Sequence, residues 1–148
     1  MANLSALTTL IELAQRETDD AAKRLGAALK AVDDAEQKHN MLLGFRDDYA
    51  RKLEAAQRAG MAPLAYHNFI AFIAKLDNAI NGQMEVVKHA RYKSGQEKQA
   101  WQACERKRLS YRTLSERAAA DALKLENKRD QKQMDEHAAR QAYYKQHR

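Results

Sequence analysis

The fold of this chain is decided by residues 4–56, which read LSALTTLIELAQRETDDAAKRLGAALKAVDDAEQKHNMLLGFRDDYARKLEAA. Sixteen positions in this stretch follow one another in alternating steps of three and four residues, and thirteen of them are apolar. They are Leu4, Leu7, Ile11, Ala14, Thr18, Ala21, Leu25, Ala28, Val32, Ala35, His39, Leu42, Arg46, Tyr49, Leu53 and Ala56. Such a stripe stays buried only if the helix supercoils around a partner helix. The stretch therefore predicts one arm of a coiled coil, which offers little concave interior for a catalytic site.

The composition also favours an extended, all-α protein. Charged residues make up 31% of the 148 residues, and Gly and Pro together number six. Such a composition is typical of long helices and coiled coils. No window approaches the roughly 18 uninterrupted apolar residues of a membrane-spanning helix, and the N-terminus lacks the basic flank and apolar block of a signal peptide. We therefore expect a soluble, cytosolic protein.

Few side chains suggest metal, redox or catalytic chemistry. The single cysteine, Cys104, cannot form an intramolecular disulfide, and none of the five histidines has the spacing of a metal site. The sequence also lacks a Gly-rich phosphate-binding loop and a nucleophile elbow. We therefore expect no metal, no cofactor and no small-molecule substrate, and we predict that the protein is not an enzyme.

The charge is distributed unevenly along the chain. Residues 1–63 contain nine Lys and Arg against ten Asp and Glu, whereas residues 64–148 contain seventeen against ten. The second half therefore has a net charge of +7 and the first half of −1. An acidic partner would complement the basic half, although an exposed coiled-coil face explains any single one of these charges equally well.

The sequence Ala59-Gly60-Met61-Ala62-Pro63 interrupts the helical pattern near the middle of the chain. Gly60 suits the residue after a helix, where φ is positive, and Pro63 suits a first helical turn. A short connection makes two long helices antiparallel neighbours. We expect a monomeric, all-α protein. Its fold is a long antiparallel two-helix coiled coil, or helical hairpin, with the hinge near Gly60–Pro63. The expected parts are a first helix over residues 3–58, a hinge over 59–63, a second helix over 64–123 and a basic, partly frayed extension over 124–148.

The second arm has its own apolar seam. It begins with Phe69, Ile73, Leu76, Ile80, Met84 and Val87, weakens through Arg91, Ser94 and Lys98, and returns at Trp101, Cys104, Tyr111, Leu114, Ala118, Ala122 and Leu125. A second line runs beside this seam through Phe72, Leu76, Ala79 and Gln83, and Phe45 lies one turn from Tyr49 in the first arm. A two-stranded coil hides roughly two positions per heptad, so some of these rings should stay exposed. The pattern favours a docking face, or else a short helical fold-back that covers it.

Three segments of the sequence are distinctive: LAQRETDDAAKRLG at residues 13–26, NFIAFIAKLDNAI at residues 68–80 and ENKRDQKQMDEHA at residues 126–138. They resemble the FliJ family of bacterial flagellar type III export proteins. The resemblance implies a stalk that stands in the ring of the flagellar export ATPase, contacts the membrane export gate and escorts export chaperones. It also implies a peripheral location at the cytoplasmic face of the membrane, at the flagellar base. The implied partners are the ATPase hexamer and its regulator, the cytosolic domain of the gate protein and the chaperones.

The resemblance implies two sets of partner-binding residues. Those facing the export gate are Leu13, Phe45, Tyr49, Phe72, Leu76, Ala79 and Gln83. Phe45 and Gln83 depart from the Tyr and His expected at those positions. If the free ends enter the ATPase ring, the residues that face the ring are Arg106, Lys107, Arg108, Arg112 and Arg117. Truncating Phe72 or Leu76 is then expected to weaken gate binding more than folding.

Two other functions fit parts of the pattern. A basic helix with Trp101 and Tyr111 could bind nucleic acid, although acidic residues interrupt its basic stretches. A generic homodimeric coiled coil without a role in export is the other alternative. We expect no nucleic-acid partner, and sedimentation would separate a monomer from a dimer.

Overall fold

The computed structural model describes residues 2–147, with side chains from residue 4 to residue 147. It contains helix α1, Ala2–Ala59, and helix α2, Pro63–Gln146, and no strand occurs within the described range. The two helices form an antiparallel helical hairpin, so the predicted all-α fold class is confirmed. Within the described part of the chain, neither helix has a stretch long and apolar enough to cross a membrane.

The hinge lies where the breakers predicted it. α1 ends at Ala59, and Gly60 follows with φ of 92°, a backbone conformation that side chains with a Cβ rarely adopt. The Gly60 N–H donates to the Gln57 carbonyl at 3.3 Å, which satisfies one of the free carbonyls at the helix end. Pro63 then begins α2, where its missing N–H leaves no helical hydrogen bond unmade.

The middle of the chain, Asp19–Ala103, packs as one unit, which we call the hinge unit. Its core contains Ala21, Ala28, Ala35, Leu76 and Val87. Two ion pairs join its helices, Glu36 to Arg91 at 2.7 Å and Arg24 to Glu97 at 3.4 Å. A third joins Arg46 to Asp77, and this hydrogen bond raises the pKa of the arginine. In these three pairs, residues later in α1 contact residues earlier in α2, as expected for antiparallel helices.

The second unit comprises the described parts of Met1–Thr18 and Cys104–Arg148, and we call it the end unit. Its buried residues in α1 are Ala14 and Thr18, and the Thr18 hydroxyl donates to the Ala14 carbonyl at 2.8 Å. Glu17 and Lys107 pair across the two helices at 3.7 Å.

α2 continues well past the boundary expected at residue 123. It remains helical to Gln146, through most of the segment expected to be a partly frayed extension. All side chains over residues 119–147 are exposed. The helix has no structural reason to stop earlier, because the chain contains neither Pro nor Gly after Gly95.

The predicted stripe of α1 is the buried side of that helix. Of its sixteen positions, only Leu4, at 44% exposed, is classed as exposed, and the others are buried or half-buried. The buried members are small: Thr18, and four alanines that recur every seven residues at Ala14, Ala21, Ala28 and Ala35. Because alanine projects only a methyl group, these positions leave little room for a larger side chain between the helices.

The predicted seam of α2 is wrong at four positions, because Met84, Leu114, Ala122 and Leu125 are all exposed. Met84 is 39% exposed and Leu114 is 48% exposed, whereas their polar neighbours Gln83 and Ser115 are buried and half-buried. Gln83 tolerates burial because its side-chain amide donates to the Ala35 carbonyl in α1 at 3.0 Å. This bond replaces the hydrogen bonds that the amide would make with water, so an apolar residue is not required there.

Candidate partner-binding surfaces

An aromatic cluster lies in the hinge unit beside the hinge. The ring of Tyr49 in α1 contacts two rings of α2, with centroids 4.2 Å from Phe72 and 6.2 Å from Phe69. The Lys52 ammonium lies 5.3 Å from the Tyr49 centroid, within the range of a cation–π contact. Tyr49 and Phe69 are half-buried, and Phe72 is 40% exposed. These residues and Asn68 line a shallow depression that opens to solvent.

The structure separates the seven residues implied for gate binding into three groups. Phe45, Tyr49, Phe72 and Ala79 belong to the hinge unit and are exposed or half-buried, with Phe45 at 49%. Leu13 is also 49% exposed and belongs to the end unit. Leu76 and Gln83 are each only 9% exposed and lie in the seam between the helices.

The expectation that Leu76 and Gln83 lie on the surplus surface is therefore wrong. Two residues seven apart occupy equivalent positions in a coiled coil. Leu76 and Gln83 form one such pair inside the seam, while Phe72 and Ala79 form another beside it. The expected line mixed a core row with a surface row because steps of four, three and four fit a helix stripe of either kind.

The surface row has a third member that sequence reasoning missed. Val86 follows Ala79 by seven residues and is 51% exposed. The spacing of Phe72, Ala79 and Val86 was the signal in the sequence that could have identified it. The alternative of a helical fold-back is not found, since within residues 2–147 no third helix covers these side chains.

The five basic residues implied for the ATPase ring all lie in the end unit, but their environments differ. Arg106 and Arg117 are exposed and have no ion-pair partner among the described residues. Lys107 pairs with Glu17 and lies 5.9 Å from the Tyr111 centroid. Arg112 pairs with Glu116 at 3.4 Å. Arg106 and Arg117 therefore have the most freedom to meet a partner's charge.

Arg108 differs from the other four because it is half-buried, whereas they are exposed. Its guanidinium donates two hydrogen bonds to Glu105, at 2.5 Å and 3.1 Å, and both side chains are half-buried. The Arg108 hydrogen bonds lower the pKa of the Glu105 carboxyl. Because of this bidentate pairing, we expect Arg108 to contribute more to the stability of the end unit than to partner binding.

The Glu105 pair predicts a small loss of stability in acid. Because the folded-state pKa of Glu105 is lowered, its stabilising effect is present above the unfolded pKa and is lost as the pH falls through the folded value. Glu105→Gln is expected to reduce the urea midpoint at neutral pH and to flatten its decline in acid. The matched control is Glu116→Gln, whose carboxylate pairs with the exposed Arg112. If the urea midpoint of Glu105→Gln falls in acid as steeply as that of the unmodified chain, Glu105 does not contribute to the loss of stability in acid.

Comparison with known proteins gives consistent matches over nearly the whole chain. The family model described as "Flagellar FliJ protein" matches residues 3–147. The flagellar FliJ protein of Escherichia coli (strain K12) is 33% identical over 145 residues, which cover 98% of this chain and 99% of the relative. That of Salmonella typhi is 34% identical with the same coverage. Among solved structures, a putative YscO homolog from Chlamydia trachomatis aligns with a TM-score of 0.48 and 17% identity, over 92% of this chain and 88% of the other.

Proposed function

The chain belongs to the FliJ family of flagellar export proteins, and from this we propose that it acts as a non-catalytic stalk in the ring of the flagellar export ATPase. In this proposal ATP is hydrolysed by the ring, and the stalk acts by favouring some ring conformations over others. The protein also couples the ring to the membrane export gate and escorts export chaperones. It works as a monomer at the cytoplasmic face of the membrane.

The exposed rings beside the hinge support the proposal of gate coupling. Phe45 and Phe72 expose 49% and 40% of their surface although aromatic side chains gain most from burial. Exposed aromatic residues next to a half-buried ring are a common centre of protein interfaces. Phe72 and Tyr49, whose ring centroids lie 4.2 Å apart, would form that centre, and Phe45 would lie at its side.

Phe72→Ala is expected to weaken binding of the gate protein's cytosolic portion by at least about tenfold, because the ring would be buried on binding. Affinity can be measured by isothermal titration calorimetry with purified full-length chain. Tyr92→Ala is the matched control, since Tyr92 is an aromatic residue that is 66% exposed in the same unit. Equal affinities of the two variants would exclude Phe72 from the gate interface. Failure of the unmodified chain to bind would contradict gate coupling itself.

The exposed basic residues of the end unit support the proposal of a ring contact. Arg106, Lys107 and Arg117 are exposed cations on α2 and could meet acidic side chains or helix C-termini lining a ring. Each such contact is small and sensitive to salt, so single Ala variants should have mild effects.

The triple variant Arg106→Glu, Lys107→Glu, Arg117→Glu is expected to lose most stimulation of the export ATPase at low ionic strength. The reason is that reversing three charges turns attraction into repulsion. Stimulation is measured by phosphate release, and circular dichroism checks that the helices are retained. A variant with Lys124, Lys128 and Lys132 changed to Glu has the same net charge and tests whether position matters. Undiminished stimulation by the first variant would place the ring contact elsewhere on the chain.

A further inference from the structure

Two faces of the hinge unit flank the seam between its helices. We call the first the aromatic face and the second the opposite face. The aromatic face consists of two rows at intervals of seven residues, Ala31, Lys38, Phe45 and Lys52 in α1 and Phe72, Ala79, Val86 and Lys93 in α2, all of them exposed. The opposite face consists of Leu29, Glu36, Leu43 and Ala50 in α1 and Ile70, Asp77, Met84 and Arg91 in α2. Glu36, Ala50 and Asp77 of the opposite face are half-buried, and its other five residues are exposed. Both faces are partly apolar, so apolar surface alone does not distinguish them.

The charges of the two faces differ. The three charged residues of the aromatic face are all lysines, and none of them has an ion pair with a described residue. On the opposite face, Glu36 pairs with Arg91 and Asp77 pairs with Arg46. The charges of the opposite face are therefore neutralised within the chain. The aromatic face has three positive charges that a partner could neutralise.

The aromatic face continues from the rings into a groove. Beyond Val86, a cavity of about 210 Å³ lies between the helices, and four alanines and three charged residues line it. It is lined by Arg24, Ala27, Ala28, Ala31, Ala90, Lys93 and Glu97. From Phe72 to Lys93 the face follows 21 residues of α2, which at about 1.5 Å per residue amounts to about 30 Å.

We propose that the aromatic face binds one amphipathic α-helix with acidic flanks, contributed by the cytosolic portion of the export gate. The rows of the aromatic face repeat every seven residues on both helices. A third helix laid along them also presents equivalent side chains every seven residues, so the two repeats match. The apolar side of the bound helix contacts Phe72, Val86 and the alanines that line the cavity. Its acidic flanks contact Lys38, Lys52 and Lys93. This inference rests on the proposed gate coupling. It adds the helical, acidic character of the partner, and Val86 and the lysines as contacts.

The contact at Val86 is tested by placing a charge on each face in turn. Val86→Glu is expected to weaken binding of the gate's cytosolic portion by at least about tenfold, because a carboxylate would be buried against an apolar, acidic-flanked helix. Met84→Glu, on the opposite face and 39% exposed, is the matched control and should bind within about twofold of the unmodified chain. Circular dichroism melting of both variants identifies any loss through unfolding.

The acidic character of the partner is tested by charge reversal and salt. Lys38→Glu combined with Lys93→Glu should weaken binding and reduce its salt dependence. Lys23→Glu combined with Lys30→Glu changes the net charge equally at exposed positions outside both faces, and should have little effect. Retention of the salt dependence in the first variant would contradict an acidic partner.

The outcomes separate this inference from the proposed function. If the unmodified chain does not bind the gate portion, gate coupling is wrong and this inference is wrong with it. If the unmodified chain binds and Val86→Glu binds equally well, gate coupling stands and the extended face is wrong. If Val86→Glu loses binding but isotope-edited spectra of the bound gate segment lack helical signals, the partner is not a helix and the inference is overturned.

Discussion

Leu76→Ala is expected to lower the free energy of unfolding by about 2–5 kcal/mol, the usual cost of removing a buried leucine side chain. Leu76 is only 9% exposed and lies in the seam of the hinge unit. Phe72, one turn away, is 40% exposed and contacts Tyr49 at the edge of the pairing. Phe72→Ala should therefore cost clearly less stability while losing more gate affinity. This revises the sequence-based expectation that the two residues act alike.

The comparison needs stability and affinity for the same two variants. Urea unfolding followed by circular dichroism gives the free energies, and gate binding is measured well below both transition midpoints. Leu76→Ala should bind the gate nearly normally once the folded fraction is taken into account. Equal destabilisation by the two substitutions would mean that Phe72 belongs to the core, and that the aromatic face is not spare surface.

Ala21→Leu is expected to destabilise the hinge unit by about 1–3 kcal/mol, because added methylenes force well-packed helices apart. Ala21 is 0% exposed and belongs to the row of small residues that faces α2. A larger side chain at this position also weakens the neighbouring contacts of the seam, because α1 is continuous here and moves as a whole.

The neighbouring residue provides the control for this prediction. Ala22 is exposed, so Ala22→Leu has the same gain in volume and the same small loss of helix propensity without any packing cost. Its thermal midpoint should stay close to that of the unmodified chain, while that of Ala21→Leu falls. Should Ala21→Leu prove as stable as Ala22→Leu, the helices would have to tolerate a wider separation than the buried alanines indicate.

Much of the fold could be predicted because its determinants are local. The alternation of three and four residues in α1 places fifteen of its sixteen positions on the buried or half-buried side. Gly60 and Pro63 mark the hinge because each has a backbone preference that a long helix cannot accommodate. The aromatic cluster around Tyr49 was likewise foreseeable, since Phe45 and Phe72 exceed what a two-helix seam can bury.

The inner row of α2 could not be predicted in the same way. Met84 and Leu114 are the apolar choices at their positions, yet Gln83 and Ser115 face α1. A hydrophobicity scale predicts that glutamine is exposed, because an amide that loses its hydrogen bonds to water on burial costs free energy. The Ala35 carbonyl, 48 residues away in the sequence, removes that cost, and only the paired helices bring the two groups together.

The sequence by itself therefore determined the helices, their hinge and the buried side of α1, because hydrophobic periodicity and backbone preferences act within a few residues. Only the tertiary structure decided which of two adjacent rows of α2 faces the partner helix, and hence that Leu76 and Gln83 are core while Val86 is surface. That choice depends on groups distant in sequence, the Gln83 bond to α1 and the ion pair of Arg91 with Glu36. Rows three residues apart on a helix, such as those of Gln83 and Val86, differ by a rotation of about 60°. Contacts made across the hairpin therefore select which of them faces α1.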